Sequence, residues 1–249
     1  MLLTNPKLSF CTTCRNRTQY LRQTILHNIN SRIQGVDFIL VNYGSTDDLD
    51  DFVLTELKEH LQSGILKYYR YPSAGPWHSC KAKNISHALA DGDILFNLDC
   101  DNFISPILCK ELLEYFESGD VVVFNADTPG IPVVVDGVKY DTDGTGGRIA
   151  ISREDFRKLG GYDESFEPMG YQDNDLLKRC EMLGKRVIRL RQHAKAIQHP
   201  KGLGAVKPED WPAMNERNKI RSEQNIANNR IIAFTDFSRI LQVAERVVV

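Results

Sequence analysis

The stretch Ile94-Leu95-Phe96-Asn97-Leu98-Asp99-Cys100-Asp101-Asn102 places two carboxylates directly after a short apolar run. The run is typical of a buried strand, and Asp99 and Asp101 follow it with i, i+2 spacing. On an extended backbone, this spacing directs both carboxylates to one face and Cys100 to the other. Ligands of open α/β sheets bind at the carboxyl ends of the strands. The stretch therefore predicts either a polar turn or an acidic pair that holds a divalent cation and, through it, a diphosphate.

Around this stretch, the chain up to residue 125 alternates between apolar, strand-like runs and amphipathic, helix-like segments. Thr18 is predicted to cap the N-terminus of the first helix. Strands are predicted at 8–13, 38–42, 65–71, 94–98 and 121–124, and helices at 18–29, 49–61, 79–90 and 105–116. This alternation is typical of a parallel, Rossmann-like sheet flanked by helices.

Beyond residue 125 the predicted elements are shorter and of mixed type. Asp136-Gly137 lies between two apolar runs and predicts a hairpin over residues 132–140. Further strands are predicted at 148–151, 187–190 and 194–198, and helices at 153–159 and 173–183. No break in composition separates the halves, so residues 1–214 are predicted to form one α/β domain with a mixed, mainly parallel sheet. Residues 215–249 are predicted to form a helical extension packed on that domain.

Length and charge limit the possible function classes. With 249 residues, 42% of them hydrophobic, the chain has the composition of an ordinary globular protein. A formal net charge of -2 gives no general attraction for nucleic acid. The sequence contains neither an apolar run long enough to span a membrane nor the pattern of a signal peptide. A cytoplasmic location is therefore predicted, with peripheral attachment to the inner face of the membrane left open.

Six cysteines are scattered along the chain, and Cys11 and Cys14 have C-x-x-C spacing. No second Cys or His pair lies near them, and alternation along a strand would direct the two thiols to opposite faces. Buried structural thiols are therefore predicted, and not a zinc or redox site.

Polar residues follow the first two predicted strands, at the edge of the sheet where Asp99 and Asp101 are expected. Arg15 and Arg17 come after the first strand, and guanidinium groups suit phosphate oxygens and stacking on bases. The segment Asn42-Tyr43-Gly44-Ser45-Thr46-Asp47 follows the second strand, and its glycine would let the backbone approach a ligand. Each segment also fits an ordinary loop.

The helix before the acidic strand carries Lys81, Lys83, Asn84 and His87. Asn84 and His87 are spaced i, i+3 and share a face. A solvated polar face is predicted for Lys81 and His87, whereas Asn84 could reach across to a nucleotide.

Three later segments add polar or flexible groups. Gly146-Gly147 precedes a strand, so the backbone there could approach a sugar. The segment Gly170-Tyr171-Gln172-Asp173-Asn174-Asp175 opens a helix, where acidic residues are common for dipole and capping reasons alone. His199 ends a strand before Pro200 and is either structural or a third protein ligand of a metal.

Together these segments resemble those of glycosyltransferases with the GT-A fold. The layout is similar to glycosyltransferase family 2, and the motifs are similar to those of the β-1,4-galactosyltransferases. The matching segments, in the family's order, are Cys14-Arg15-Asn16-Arg17, Asp99-Cys100-Asp101, Gly146-Gly147 with Ile149-Ala150-Ile151-Ser152, Gly160-Gly161-Tyr162, Gly170-Tyr171-Gln172-Asp173-Asn174-Asp175 and Ile197-Gln198-His199.

The resemblance implies which residues bind the donor. Arg15 and Arg17 match the arginines that hold the nucleotide diphosphate. The other residues predicted to contact the nucleotide or the sugar are Thr13, Asn42, Tyr43, Asn84, Asp99, Gly146 and Gly147.

The resemblance also implies a metal site and a catalytic base. Asp101 matches the direct metal ligand of the acidic pair, with Asp99 as its partner that faces the ribose or donor sugar. His199 matches the metal-binding histidine beyond the catalytic helix. Asp173 matches the carboxylate that acts as base, and Asp175 matches an acidic neighbour.

Five positions depart from the pattern of the resembling families. Gln172 stands where the galactosyltransferases carry Glu, and Met169 where they carry a mobile-loop Trp. Ala196 replaces a Met that is a metal ligand in some members, and Tyr43 replaces an acidic residue that many family 2 members direct at uracil. Gly144 stands where an aromatic residue approaches the 2-position of the donor sugar, which leaves room for a 2-acetamido group.

The predicted reaction is a single in-line displacement with inversion at the anomeric carbon. Asp173 would take the proton of the acceptor hydroxyl, and Mn²⁺, or alternatively Mg²⁺, would stabilise the leaving diphosphate. The donor is predicted to be a UDP-sugar that carries a hexose or an N-acetylhexosamine. The acceptor is predicted to be a saccharide or glycolipid in surface polysaccharide synthesis. A sugar-nucleotide nucleotidyltransferase and a non-catalytic nucleotide-sugar-binding domain remain as alternatives.

Overall fold

The computed structural model describes residues 3–72, 75–125, 133–135, 138–140, 146–190, 195–197 and 210–249. In the first half, strands and helices alternate: β1 (Leu8–Cys14), α1 (Thr18–Asn30), β2 (Val36–Asn42), α2 (Leu49–Glu56), α3 (Lys58–Gln62), β3 (Leu66–Arg70), α4 (Ser79–Ala88), β4 (Ile94–Asn97), β5 (Asn102–Phe103), α5 (Pro106–Ser118) and β6 (Val121–Asn125). The second half contains β7 (Val133–Val135), β8 (Val138–Tyr140), β9 (Ile149–Ser152), α6 (Arg153–Lys158), α7 (Gln172–Met182), β10 (Arg186–Leu190), β11 (Lys195–Ala196), α8 (Trp211–Ala227), α9 (Phe237–Val243) and β12 (Glu245–Val247).

Eight of these strands form one mixed sheet in the order β10-β6-β9-β4-β1-β2-β3-β12. Strand β1 runs parallel to β2 and β4, β2 is parallel to β3, and β10 is parallel to β6. Strand β9 is antiparallel to both β4 and β6, and β12 is antiparallel to β3. The mixed, mainly parallel sheet that the sequence predicted is confirmed. Consequently the carboxyl ends of β1, β2 and β4 meet at one edge.

The central strands are buried on both faces because successive side chains enter two different apolar layers. On one face, the ring of Phe10 stacks on Phe38 with 5.4 Å between centroids and meets Phe96 edge to face at 5.2 Å. On the other face lie Cys11 and its neighbours, whereas Cys14 belongs to the first layer. All six cysteines are buried and free, so the prediction of structural thiols is confirmed.

The start of α1 differs from the prediction. The helix begins at Thr18, but the N-cap residue is Arg17, and no side-chain cap forms there. The backbone N–H of Thr18 instead donates to the carboxylate of Asp47, at 3.0 Å, from the turn after β2. The prediction that Thr18 caps the helix is therefore wrong, because the carboxylate of Asp47 accepts the hydrogen bond of a free backbone N–H at this helix terminus.

Two other elements were not foreseen. The predicted helix over residues 49–61 is divided at Leu57, whose φ and ψ of -110° and 12° leave the helical region. The C-terminal residues add strand β12, which pairs Val247 with Tyr68 at the edge of the sheet. Helical periodicity cannot reveal this pairing, because it depends on the open edge of β3. No helix in the described part of the chain combines the length and apolar character needed to cross a membrane.

Candidate active site

The loops after β1 and β4 bring cationic and acidic side chains together at the edge of the sheet. Nη1 of Arg17 lies 3.3 Å from Oδ2 of Asp101, and the Asp101 side chain is almost buried. Arg17 therefore reaches the acidic pair, as the sequence predicted from the shared edge. Because opposite charges at this distance attract strongly when partly buried, this contact holds Asp101 in place.

Buried polar side chains on the interior side of Asp101 hold its carboxylate through hydrogen bonds. Nδ2 of Asn102 donates to Oδ1 of Asp101 at 2.6 Å, and Oδ1 of Asn102 lies 3.4 Å from Nη1 of Arg148. Arg148 is fully buried and donates to Asn125 Oδ1 at 2.9 Å and to the carbonyl of Phe103 at 2.7 Å. Burial lowers the pKa of Arg148 to about 10, which still leaves it charged at neutral pH. The sequence did not predict a role for Arg148 in the site, because its position indicates only the start of a strand.

Asp99 packs against the backbone of the predicted sugar-facing glycines. Nδ2 of Asn97 donates to Oδ1 of Asp99 at 3.2 Å and to the carbonyl of Gly147 at 2.9 Å. A Cβ atom at Gly147 would lie 2.8 Å from Nζ of Lys83 and 3.3 Å from Oδ2 of Asp99. A side chain at 147 would therefore displace the Lys83 ammonium or crowd Asp99, whereas Gly146 is exposed.

The charge state of Asp99 reflects its surroundings. Burial raises the pKa of this carboxyl above its usual value, and the neighbouring charges of Asp101 and Asp173 raise it further. Lys83 and Asn97 act in the opposite direction. An additional cation beside Asp99 would therefore be favourable.

Asp173 lies in the first turn of α7 and joins the same cluster through Lys83. Nζ of Lys83 is 2.5 Å from Oδ1 of Asp173, and Nε2 of Gln172 donates to Oδ2 at 3.1 Å. Burial alone would lower the pKa of Lys83, but Asp173 and Asp99 outweigh it and raise the pKa above its usual value. Lys83 therefore stays protonated and links the predicted base to the acidic pair.

Lys83 was not among the residues predicted for the site. The residue is only 8% exposed, and its ammonium lies 5.2 Å from the centre of the Tyr162 ring. Cys80, Lys83 and His87 share a helical face at i, i+3 and i+7, which could have indicated an inward orientation. The solvated face predicted for His87 is wrong, because its buried ring stacks on Phe156 at 4.7 Å, whereas Lys81 is exposed as predicted.

Asn84 makes its hydrogen bonds within the protein. Its Oδ1 accepts from the N–H of Tyr162 at 2.8 Å, and its Nδ2 donates to the carbonyl of Tyr162 at 2.9 Å and to Oγ1 of Thr235 at 3.0 Å. The side chain is fully buried. These contacts hold the turn at Gly161 and Tyr162, so we do not retain Asn84 as a nucleotide contact.

Two other predicted donor contacts also hold the local backbone. Oγ1 of Thr13 donates to the carbonyl of Ala82 at 2.9 Å and so joins β1 to α4. Asn42 accepts from the N–H of Ser45 at 2.7 Å and donates to Oδ1 of Asp50 at 3.2 Å, which shapes the turn after β2. Both residues lie at the predicted edge and support the loops that form it.

Tyr43 and Arg15 lie side by side at the ends of β2 and β1. The Tyr43 ring is 1% exposed, meets Trp77 edge to face at 5.5 Å, and has the Arg15 guanidinium 5.9 Å from its centre. Burial raises the pKa of Tyr43 to about 12, so its hydroxyl is neutral. Arg15 also donates to the carbonyl of Gly75. These groups form an aromatic and cationic corner beside the acidic pair.

Asp175 occupies a different environment from Asp173. It is 1% exposed, its Oδ2 accepts from Nε of Arg179 at 2.7 Å, and its Oδ1 accepts from the hydroxyl of Ser222 at 2.8 Å. Arg179 also donates to the carbonyl of Gly161 at 2.9 Å. Asp175 therefore anchors α7 in the interior, and Asp173 alone of the two belongs to the charged cluster.

Arg179→Met is expected to lower the free energy of unfolding by about 3–5 kcal/mol, the usual cost of leaving a buried charge without its partner. Urea titration followed by circular dichroism measures this quantity. Arg217→Met, which removes a surface pair with Glu167, is the matched control and should change stability far less. Equal losses for both variants would contradict an anchoring role of the Asp175–Arg179 pair.

Two predicted residues, His199 and Gly144, lie outside the described residues. The backbone N–H of Ile197 donates to the carbonyl of Asp101 at 2.8 Å, so the described chain reaches the acidic pair shortly before His199. Within the described ranges, no group of three His, Cys, Asp or Glu side chains is arranged as a metal site.

Comparison with known proteins relates the chain to sugar-transferring enzymes. The sequence model described as Glycosyl transferase family 2 matches residues 9–170. A protein of Haemophilus influenzae described as an uncharacterized glycosyltransferase is 26% identical over 118 residues, 47% of this chain. That match spans 45% of the relative's length.

Solved structures show the same architecture at low sequence identity. GalNAc-T7 with UDP, GalNAc and Mn²⁺ is 16% identical, with a TM-score of 0.67 over 88% of this chain and 48% of that one. TarS residues 1–349 of S. aureus with UDP-GlcNAc is 15% identical, with a TM-score of 0.64 over 95% and 70%. The mannosyltransferase PcManGT of Pyrobaculum calidifontis with GDP-Man and Mn²⁺ is 15% identical, with a TM-score of 0.62 over 95% and 79%. At these low identities, the TM-scores show a shared fold and nothing more.

Proposed function

The chain belongs to glycosyl transferase family 2 and has the GT-A fold, and we propose that it is an inverting, metal-dependent glycosyltransferase. It would move a hexose or an N-acetylhexosamine from a UDP-sugar to a saccharide or glycolipid acceptor, in surface polysaccharide synthesis. The observation that carries this proposal is the ion pair of Asp173 with Lys83 beside Asp99. This ion pair places Asp173, a potential base, at the edge of the sheet where Asp99 and Asp101 lie.

Asp173 is the proposed general base. Its carboxylate would take the proton of the acceptor hydroxyl as that oxygen attacks the anomeric carbon of the donor sugar. The Lys83 ammonium pairs with this carboxylate at 2.5 Å, and Asp173 lies in the first turn of α7. The partly exposed side chain of Asp173 remains accessible, in contrast to the buried Asp175.

The residues present fit a divalent cation. Asp99 and Asp101 offer carboxylate oxygens two positions apart, and burial, followed by the charges of Asp101 and Asp173, raises the pKa of Asp99. Asp99, Asp101 and His199 are the proposed ligands, and this combination of carboxylate and imidazole suits Mn²⁺ better than Mg²⁺. Such an ion, when bound, supplies charge neutralisation for the leaving diphosphate.

The other groups at this edge are proposed to bind the donor. Arg15 and Arg17 would hold the diphosphate, because guanidinium groups pair with phosphate oxygens. Tyr43 would lie beside the nucleobase, and the backbone of Gly146 and Gly147 would lie beside the sugar. Solved relatives are described with UDP, UDP-GlcNAc or GDP-Man, so the choice of nucleotide requires a direct test.

A donor screen in Mn²⁺, with and without saccharide acceptors, tests the proposed function. UDP release is expected from UDP-galactose, UDP-GlcNAc or UDP-GalNAc, and an acceptor should stimulate it. GDP-mannose is the matched control for the nucleotide and should give no release. Binding of UDP-sugars without acceptor-dependent release would instead indicate a non-catalytic binding domain. Formation of pyrophosphate from a sugar phosphate and a nucleoside triphosphate would indicate a nucleotidyltransferase.

A further inference from the structure

The loop over residues 167–171, which leads into α7, is held by one side chain of the C-terminal helix α8. Oδ1 of Asn218 accepts from the N–H of Glu167 at 2.7 Å. Nδ2 of Asn218 lies 2.8 Å from the carbonyl of Gly170 and 3.1 Å from that of Met169. Asn218 is 1% exposed, so these bonds form away from water. One amide of α8 therefore contacts three positions of the loop immediately before Asp173.

A second contact joins α8 to α7 itself. The hydroxyl of Ser222, which is fully buried, donates to Oδ1 of Asp175 at 2.8 Å. Asn218 and Ser222 are spaced i, i+4 and therefore lie on one face of α8. This face contacts the loop before Asp173 through Asn218, and the helix that carries Asp173 through Ser222.

The backbone between these contacts is unusual in two places. Gly170 has φ of 96°, and a Cβ atom there would lie 2.7 Å from Cβ of Asn215 on α8. Tyr171, the N-cap of α7, has φ of 64°, a left-handed conformation that bulky residues rarely adopt. Such conformations persist only where the surrounding structure imposes them, and they concentrate at functional sites. At Gly170, part of that surrounding structure is α8.

The loop is also held from the side of the candidate active site. Nε1 of Trp77 donates to Sδ of Met169 at 3.1 Å, and the Trp77 ring packs on Tyr43. The loop therefore lies between the corner proposed for the nucleobase and the face of α8. A shift of α8 would change the position of Asp173 relative to the donor.

We propose that α8 positions the catalytic base, and that Asn218 and Ser222 are the residues through which it acts. This inference rests on the proposed role of Asp173 in transfer. The family match ends at residue 170, whereas α8 begins at Trp211. The positioning element thus lies in the part of the chain that the family model does not cover.

Asn218→Ala is expected to lower the turnover number by about 10-fold, because small displacements of a catalytic group reduce rates strongly. The KM for the donor and the affinity for UDP should stay within about twofold of the wild type, since the groups that bind them are untouched. Ser222→Ala, which removes one hydrogen bond, should act in the same direction to a smaller extent. Asn225→Ala is the matched control, because Asn225 lies on the same helix and contacts Asp163 instead.

A double-mutant cycle separates positioning from a general loss of structure. If Asn218 acts through Asp173, Asn218→Ala should have no further effect on turnover in an Asp173→Asn background. An equal loss in both backgrounds, or a loss of UDP binding, would overturn the inference. Normal turnover of Asp173→Asn alone would instead refute the proposed base, so the two failures are distinguishable. If Asn218→Ala does not fold, the same double-mutant cycle is measured with Ser222→Ala in its place.

Discussion

Asp173→Asn is expected to lower the turnover number for sugar transfer by roughly 10²-fold or more, the usual contribution of a general base. Asparagine keeps the size of the side chain and its place in the first turn of α7, but it cannot accept the proton of the acceptor hydroxyl. Lys83 would lose the opposite charge at 2.5 Å, whereas the charge of Asp99 would remain nearby. Acceptor-stimulated UDP release measures the effect.

Two controls show whether the effect of this variant is specific to catalysis. UDP binding measured by calorimetry should persist, because Arg17 and Asp101 remain in place. Glu181→Gln neutralises an exposed carboxylate at the other end of the same helix and should leave turnover unchanged. Near-normal turnover of Asp173→Asn would exclude Asp173 as the base, and loss of UDP binding would make it a structural residue. Asp175 could not replace it, because both of its oxygens are bound in the interior.

Removal of divalent cations by excess chelator is expected to abolish transfer, and added Mn²⁺ is expected to restore it. Without a cation, burial and the charges of Asp101 and Asp173 disfavour the ionised form of Asp99, and they raise its pKa accordingly. Without the ion, the charge of the leaving diphosphate would be balanced by Arg15, Arg17 and Lys83, and Lys83 already pairs with Asp173. A loss of about 3 kcal/mol or more of charge stabilisation would lower the rate by roughly 10²-fold or more, which leaves transfer close to the background of the assay.

Asp101→Asn tests the same site without a chelator. It should lose Mn²⁺ binding, measured by electron paramagnetic resonance, together with transfer activity. Asp51→Asn, which removes an exposed carboxylate on α2, is the matched control and should bind Mn²⁺ as the wild type does. Full activity of the wild type in excess chelator would contradict a metal-dependent reaction.

The alternation of strands and helices, the buried β4 and the carboxylates that follow it are all readable from the sequence. They depend on the period of apolar residues along a few neighbouring positions, which local sequence contains in full. The expectation that Arg17 would share an edge with Asp101 followed from parallel strand order, and the structure places them 3.3 Å apart. The family and the GT-A fold were likewise evident from motifs in order.

Tertiary structure alone decided which charged groups meet. Lys83 and Asp173 are 90 positions apart, and no local pattern distinguishes Asp173 in the cluster from Asp175 in the interior. Likewise, Thr18 does not cap its own helix because Asp47 supplies the acceptor, and β12 forms because β3 has an open edge. Periodicity indicates which face of an element is buried. A buried charge, however, requires a particular oppositely charged partner, and that partner comes from a distant part of the chain when the protein folds.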